Sequence, residues 1–177
     1  LKGEAMQAEY QGQRATAEYA PKINKNSGPR VGCGAAIIDP TGKFLLGKRR
    51  RQPETGCWGW LGGKVEWMET VEDAVRREIR EEIGVEIELL DLLCVVNHFE
   101  TAGPIEHWVA PVFLSRITDK HPTIAEPEAI EALGWFDCDD LPADLTQAVK
   151  SALPRLRNYL GKTVAGGEKL LPDNIVR

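Results

Sequence analysis

The sequence predicts one domain of mixed α and β class, and three observations carry that expectation. Apolar runs of strand length recur along the chain and outnumber the two stretches with helical character. Helical stretches interrupt the strands rather than following them as a block. The length, 177 residues with 42% hydrophobic side chains, suffices for one domain with a sizeable core.

Residues 1–29 are polar and end in "KINKNSGP", which reads as an arm or linker. For an arm carrying Tyr10 and Tyr19, two readings stand: a leader without a partner, or a strap around a second subunit in a homodimer. The chain opens on Leu, so a trimmed or added leader is the expectation, with Met6 as a natural start. The core begins near residue 30. Val31–Ile38 and Phe44–Lys48 read as two strands joined by the turn Asp39-Pro40-Thr41-Gly42.

A loop rich in Gly and Trp follows. Thr70 then reads as a helix N-cap, with Asp73 as its capping-box partner. Val71, Ala74, Val75, Ile79 and Ile83 recur at helical spacing, and Gly84 is a stop signal, which places a helix at 71–83. "VEIELLDLLCVVNHF" and "EHWVAPVFLSRI" are β-rich, and Leu133–Phe136 reads as a short strand. "DLPADLTQAVKSALPRLRNYL" begins like a capped helix that Pro154 interrupts or kinks, and the tail from Gly161 reads as loop. The expected division is an arm at 1–29, a domain at 30–160 and a tail at 161–177.

The charge pattern excludes several classes of function. A formal net charge of −5 with interspersed signs argues against a protein held on nucleic acid by a general basic surface. No apolar run approaches the roughly 20 residues needed to span a membrane, and "LKGEAMQAEY" lacks the apolar centre of a secretory signal. Cys33, Cys57, Cys94 and Cys138 form no CxxC pair, so they read as reduced thiols of a cytoplasmic protein and not as a zinc site.

The stretch "REIREEIGV" carries the chemistry. On a helix, Glu78, Glu81 and Glu82 share an arc of roughly 100° beside the apolar stripe. Arg76, Arg77 and Arg80 are expected on the opposite side. Acidic groups on the last turns oppose the helix dipole by roughly 0.3–1 kcal/mol each when exposed, and Glu78 with Glu82 adds i,i+4 repulsion. A divalent cation reverses both effects. Donors without His or Cys suit a hard ion, Mg²⁺ before Mn²⁺ or Ca²⁺, and Mg²⁺ in such sites relies on substrate phosphates as well. A solvated charged face is the competing reading.

Taken from Gly63, the stretch "GKVEWMETVEDAVRREIREEIGV" resembles the Nudix box, with Gly63, Glu69, Arg77, Glu78, Ile79, Glu81, Glu82, Gly84 and Val85 filling every defined position. At average residue usage such a match arises by chance roughly once in a million chains of this length, or less often. The resemblance implies the Nudix fold, an α+β architecture in which a mixed sheet is sandwiched between helices, over about residues 30–160. It implies Mg²⁺-dependent hydrolysis of a nucleoside diphosphate linked to another group, with Mn²⁺ as a substitute. By position, Glu78, Glu81 and Glu82 resemble metal ligands with catalytic duty, and the Gly63 carbonyl resembles their partner. Glu69 and Arg77 resemble a structural pair tying loop to helix. One departure is Leu61, where the family often has proline before the two glycines. The expectation is a looser loop with activity retained.

In several family members a glutamate from a later loop adds a ligand or base. Glu126 and Glu128 are the candidates here, with Glu126 preferred. Lys48 and Arg49 at a strand end are candidate phosphate contacts, Arg49 preferred for its planar fork. Among the aromatic residues, Trp135 is preferred as a base platform. The runs "LLGKR", "CVVNHF" and "EPEAIEALGWF" resemble the MutT-type branch, which implies a nucleotide substrate cleaved from triphosphate to monophosphate and pyrophosphate. An ADP-ribose or sugar-nucleotide pyrophosphatase and a catalytically silent nucleotide sensor stay open as alternatives.

Overall fold

The computed structural model describes residues 28–100 and 106–165. Nearly all of the expected arm and the chain after Ala165 therefore lie outside the described residues, and so does any role of the arm in a dimer. In chain order the elements are β1 (Arg30–Val31), β2 (Gly34–Ile37), β3 (Phe44–Arg49), β4 (Trp58–Gly59), α1 (Val71–Ile83), β5 (Ile87–Glu100), β6 (Glu106–Ile117), β7 (Ile130–Phe136) and α2 (Gln147–Ala165).

Strand β6 organises one sheet. Along one edge it pairs in parallel with β1 and β2, Gly34 opposite Val112 and Ile37 opposite Ser115. Along the other it pairs antiparallel with β5, from Ile87 opposite Ile117 to Glu100 opposite Glu106. A second sheet runs β4-β3-β7, all antiparallel. This is the mixed-sheet α+β fold that the sequence leads one to expect.

The turn after β2 forms as the sequence indicates, with Asp39 Oδ1 accepting from the N–H groups of Thr41 at 2.8 Å and Lys43 at 3.0 Å. The strands it joins do not form a hairpin ladder. Only the bridge Ile38–Phe44 links them, and the chain passes from one sheet to the other. The cause is burial on both faces. Ala36, Ile38, Phe44 and Leu46 point into a core shared with α2, while Ala35, Ile37 and Leu45 point into a core shared with α1. Such strands read as unbroken apolar runs rather than alternating ones. The single strand expected at 31–38 is also broken, because Gly32 donates to the Val109 carbonyl and Cys33 to the Gly63 carbonyl.

Helix α1 has the bounds that its periodicity indicates. Ala74, Val75, Ile79 and Ile83 are fully buried on one stripe. Thr70 caps it by accepting from the Asp73 N–H at 3.1 Å, and its hydroxyl donates to Asp73 Oδ2 at 2.8 Å. Gly84 closes it in the left-handed region at φ 68°, donating to the Arg80 carbonyl.

Helix α2 departs from expectation. It runs unbroken through Pro154 and on past Gly161 to Ala165. Proline there deletes one N–H on an exposed face, while Val149, Ala152, Leu153 and Leu156, buried at i, i+3, i+4 and i+7, hold the helix to the sheet. No helix among the described residues is long and apolar enough to cross a membrane.

Candidate active site

The site is built outward from α1. The last carbonyls of a helix have no partner within it, and here an incoming loop satisfies them. Thr123 donates to the Ile83 carbonyl at 3.1 Å, and Ala125 to the Glu82 carbonyl at 2.9 Å. Glu126 follows directly. Its own carbonyl accepts from the N–H groups of Ala129 and Ile130, both at 3.0 Å, which starts β7. Capping the helix thus delivers a loop carboxylate to the turn that carries Glu78 and Glu82.

These three acids line one cleft of about 290 Å³. Its other walls come from the end of β3 with Arg49, the following residues Arg51 and Gln52, the segment Trp60–Lys64, and Ala129 with Ile130. Lys48, one residue from Arg49, is paired with Glu131 at 2.9 Å and lies outside the lining. Trp135, on β7, is also outside it. Glu128 faces Arg51 at 3.6 Å on the surface.

Burial dominates the electrostatics. The Glu82 carboxyl is pushed up to about 8 by desolvation; Glu78 and Glu126 push it further, while the Gly62 N–H and Arg49 oppose the rise. Its Oε2 accepts from that N–H at 2.9 Å. Glu78 is likewise raised, first by burial and then by Glu81 and Glu126, with Arg77 opposing.

Arg77 corrects the expected charge layout. It sits among the acids, one helical turn from Glu81, and not opposite them. Nε and Nη2 bond Glu69 bidentately at 2.9 and 3.0 Å. Nη1 reaches Glu78 at 2.8 Å and Glu81 at 3.1 Å, and Nη2 also donates to the Lys64 carbonyl at 3.0 Å. All five N–H donors of a guanidinium find acceptors, which a lysine cannot reproduce. Glu69 and Arg77 therefore tie loop to helix as the sequence suggests. Arg77→Lys is expected to lower stability by about 1–2 kcal/mol, roughly 5 °C in Tm. A thermal melt reads this directly, and an unchanged Tm would remove the structural role.

Two glycines permit the close packing. A Cβ on Gly62, at φ 139°, would lie 2.3 Å from the Cys33 carbonyl oxygen. One on Gly63 would lie 2.4 Å from the Glu78 carboxylate.

The sequence matches the family model for the NUDIX domain over residues 28–156. The crystal structure of a MutT NUDIX hydrolase from Burkholderia pseudomallei is 55% identical, with TM-score 0.69, covering 73% of this chain and 98% of that one. The chain belongs to the Nudix hydrolase family.

The CTP pyrophosphohydrolase of Escherichia coli K12 is 42% identical over 122 residues, 63% of this chain and 83% of that protein. An NAD-capped RNA hydrolase, NudC, of Stutzerimonas stutzeri is 30% identical over 162 residues, 91% of this chain. The chain spans 55–65% of the length of curated relatives such as NudC.

At the Leu61 departure from the Nudix pattern, packing and a backbone bond anchor the loop. The Leu61 side chain is buried in the α1 core against Gly47, and its carbonyl accepts from the Ala35 N–H at 2.9 Å. Apolar burial replaces the rigidity of a proline ring. The Nudix carboxylates do not stand as a finished cage. Glu78 and Glu81 lean on Arg77, and among the described residues no three acidic, His or Cys side chains are grouped to hold a metal ion. The donor set nevertheless fits a hard cation. It offers oxygen only, and it holds a part-buried carboxyl whose ionisation desolvation opposes and a cation would favour. Glu81 lies outside the lining and is half-exposed. The Gly63 carbonyl accepts from the Cys33 N–H at 2.8 Å and keeps a second lone pair.

Sequence reading passed over Arg51, Gln52 and Lys64 as lining residues. The run "KRRR" continuing past the strand end and the lysine following the box glycine were the available signals. Trp60 lines the cleft as well, where Trp135 was preferred.

Proposed function

We propose that this chain is a divalent-metal-dependent pyrophosphohydrolase that cleaves a nucleoside triphosphate to nucleoside monophosphate and pyrophosphate. The observation that supports it is one cleft lined by Glu78, Glu82 and Glu126 together with Arg49, Arg51 and Lys64. Acids without a cation repel a polyphosphate, and bases without acids offer no metal site. The combination suits a phosphate chain bridged to Mg²⁺, or to Mn²⁺ in its place.

Glu78 and Glu82 would hold the cation with the Gly63 carbonyl, and Glu81 would join them if its pair with Arg77 yielded. When bound, the metal supplies polarisation of phosphoryl oxygens and acidification of water. The chain's own part is different. Arg49 and Arg51 offer planar forks to phosphate oxygens. Glu126, on a loop pinned to α1, removes the proton from the attacking water. Arg77 holds Glu78 in place through the 2.8 Å bond.

The name of the E. coli relative, a CTP pyrophosphohydrolase, supports a triphosphate substrate. Purified protein with Mg²⁺ and a panel of nucleotides, read for phosphate and for pyrophosphate, tests the assignment. Pyrophosphate release from a triphosphate is expected. Turnover confined to ADP-ribose, NAD or a sugar nucleotide would replace the substrate class, and binding without any turnover would make the protein a sensor.

A further inference from the structure

The loop between β3 and β4 brings Arg51 and Gln52 to the cleft, and its anchoring is unusual. Its stem is closed by backbone bonds, Arg49 N–H to the Cys57 carbonyl at 3.0 Å and Gly56 N–H to the Arg49 carbonyl at 2.8 Å. Arg49 Nε donates to the Pro53 carbonyl at 3.0 Å. At the tip, Glu54 stands at φ 60°, in the left-handed region that a residue with a side chain adopts only when something holds it there. Two contacts hold it: its carbonyl accepts from the Cys57 N–H at 3.1 Å, and its side chain reaches helix α2. Glu54 Oε1 accepts from the Gln147 N–H at 2.7 Å, across 93 residues of sequence. Gln147 is the first residue of α2, so its N–H is one that the helix cannot satisfy, and the positive end of the dipole favours a carboxylate.

We propose that Glu54 is a positioning residue, a clasp that fixes the Arg51–Gln52 arm against α2 so that the arm meets the substrate's polyphosphate. The role in binding rests on the reading of the cleft given above; the clasp itself does not. Without this contact the backbone turn remains, and the arm loses its one side-chain tie to α2 among the described residues.

Three variants separate positioning from bulk stability. Glu54→Ala is expected to raise KM for the triphosphate about tenfold with kcat within about twofold. Glu54→Gln keeps an oxygen that accepts from the Gln147 N–H and is expected to stay within about threefold of wild type. Glu54→Gly relieves the backbone strain, so its Tm exceeds that of the Ala variant, yet it shows the Ala variant's KM. A Gly variant with wild-type KM, or an Ala variant that loses kcat at constant KM, overturns the assignment. Hydrogen exchange of residues 50–57 and of the Gln147 amide supplies a readout independent of activity. Exchange must speed up in Glu54→Ala and not in Glu54→Gln. If the wild type turns over no nucleotide, the substrate reading fails while exchange still decides the clasp, and unchanged exchange in the Ala variant ends it.

Discussion

Replacing Glu82 by Gln lowers kcat on the order of 10³-fold while the domain stays folded. The substitution is chosen because the local hydrogen bond survives it. The Gln amide oxygen still accepts from the Gly62 N–H, which in the wild type meets Glu82 Oε2 at 2.9 Å. The loop bearing Gly63 therefore keeps its attachment to α1, and what disappears is the negative charge that the carboxyl takes up when a cation binds. Under the proposed chemistry that charge grips the cation, and a neutral amide is a poor substitute for a carboxylate toward Mg²⁺. Steady-state kinetics with Mg²⁺ at saturating substrate, beside a circular dichroism spectrum, decide the matter. A variant retaining kcat within tenfold would show that Glu82 is a loop anchor and nothing more. Raising Mg²⁺ should recover part of the loss if weakened metal affinity is its cause, because the other carboxylates of the cleft remain.

The parts of this architecture that were legible in the sequence are those fixed by local rules. Helix α1 could be bounded to the residue because a cap, an apolar stripe and a left-handed glycine act within 15 consecutive positions, Thr70 to Gly84. The spacing of the acids on that helix follows from the same geometry. Arg77 shows where helical projection needs care. Projection of the three arginines as a group puts it opposite the acids, yet residues i and i+4 lie about 40° apart, which brings it beside Glu81. The assignment of β2 and β3 to different sheets was not legible, since a turn such as Asp39–Gly42 serves a hairpin and a sheet change equally well. Nor did local sequence show that α2 outlasts Pro154, because tertiary burial of Ala152, Leu153 and Leu156 decides it. Glu126 could be proposed only through the family resemblance, and its place beside Glu82 depends on α1's terminal carbonyls finding donors 40 residues further along the chain.

Metal-free protein is expected to lose stability as pH rises from about 5 to 8, the reverse of the behaviour usual for paired carboxylates. The sign follows from Glu82. Its carboxyl is raised in the folded state from 4.5 to about 8, chiefly by burial, so the folded protein holds the proton more tightly than the unfolded chain does. The associated stability is fully present below the unfolded value of 4.5 and is lost as pH climbs through about 8. Glu78, raised in the same direction, adds to the slope. Acids lowered by arginine or lysine partners, Glu69, Glu86 and Glu131, act oppositely, but their contribution changes only below the ordinary glutamate range. Above pH 5 the buried pair therefore governs. A displacement as large as that of Glu82 corresponds to roughly 5 kcal/mol at most, or on the order of 10 °C in Tm for a domain of this size. Melts in chelator at pH 5, 6, 7 and 8 should trace the decline. Adding Mg²⁺ at pH 8 should restore much of it, because an ion bound only to the folded state at a hundredfold excess over Kd contributes about 2.7 kcal/mol. Glu82→Gln should flatten the chelator curve, melt above wild type at pH 8, and respond weakly to Mg²⁺. A chelator curve that rises toward pH 8 in the wild type would mean that Glu82 is ionised and compensated without a metal, and the physical case for a cation in this cleft would lose its foundation.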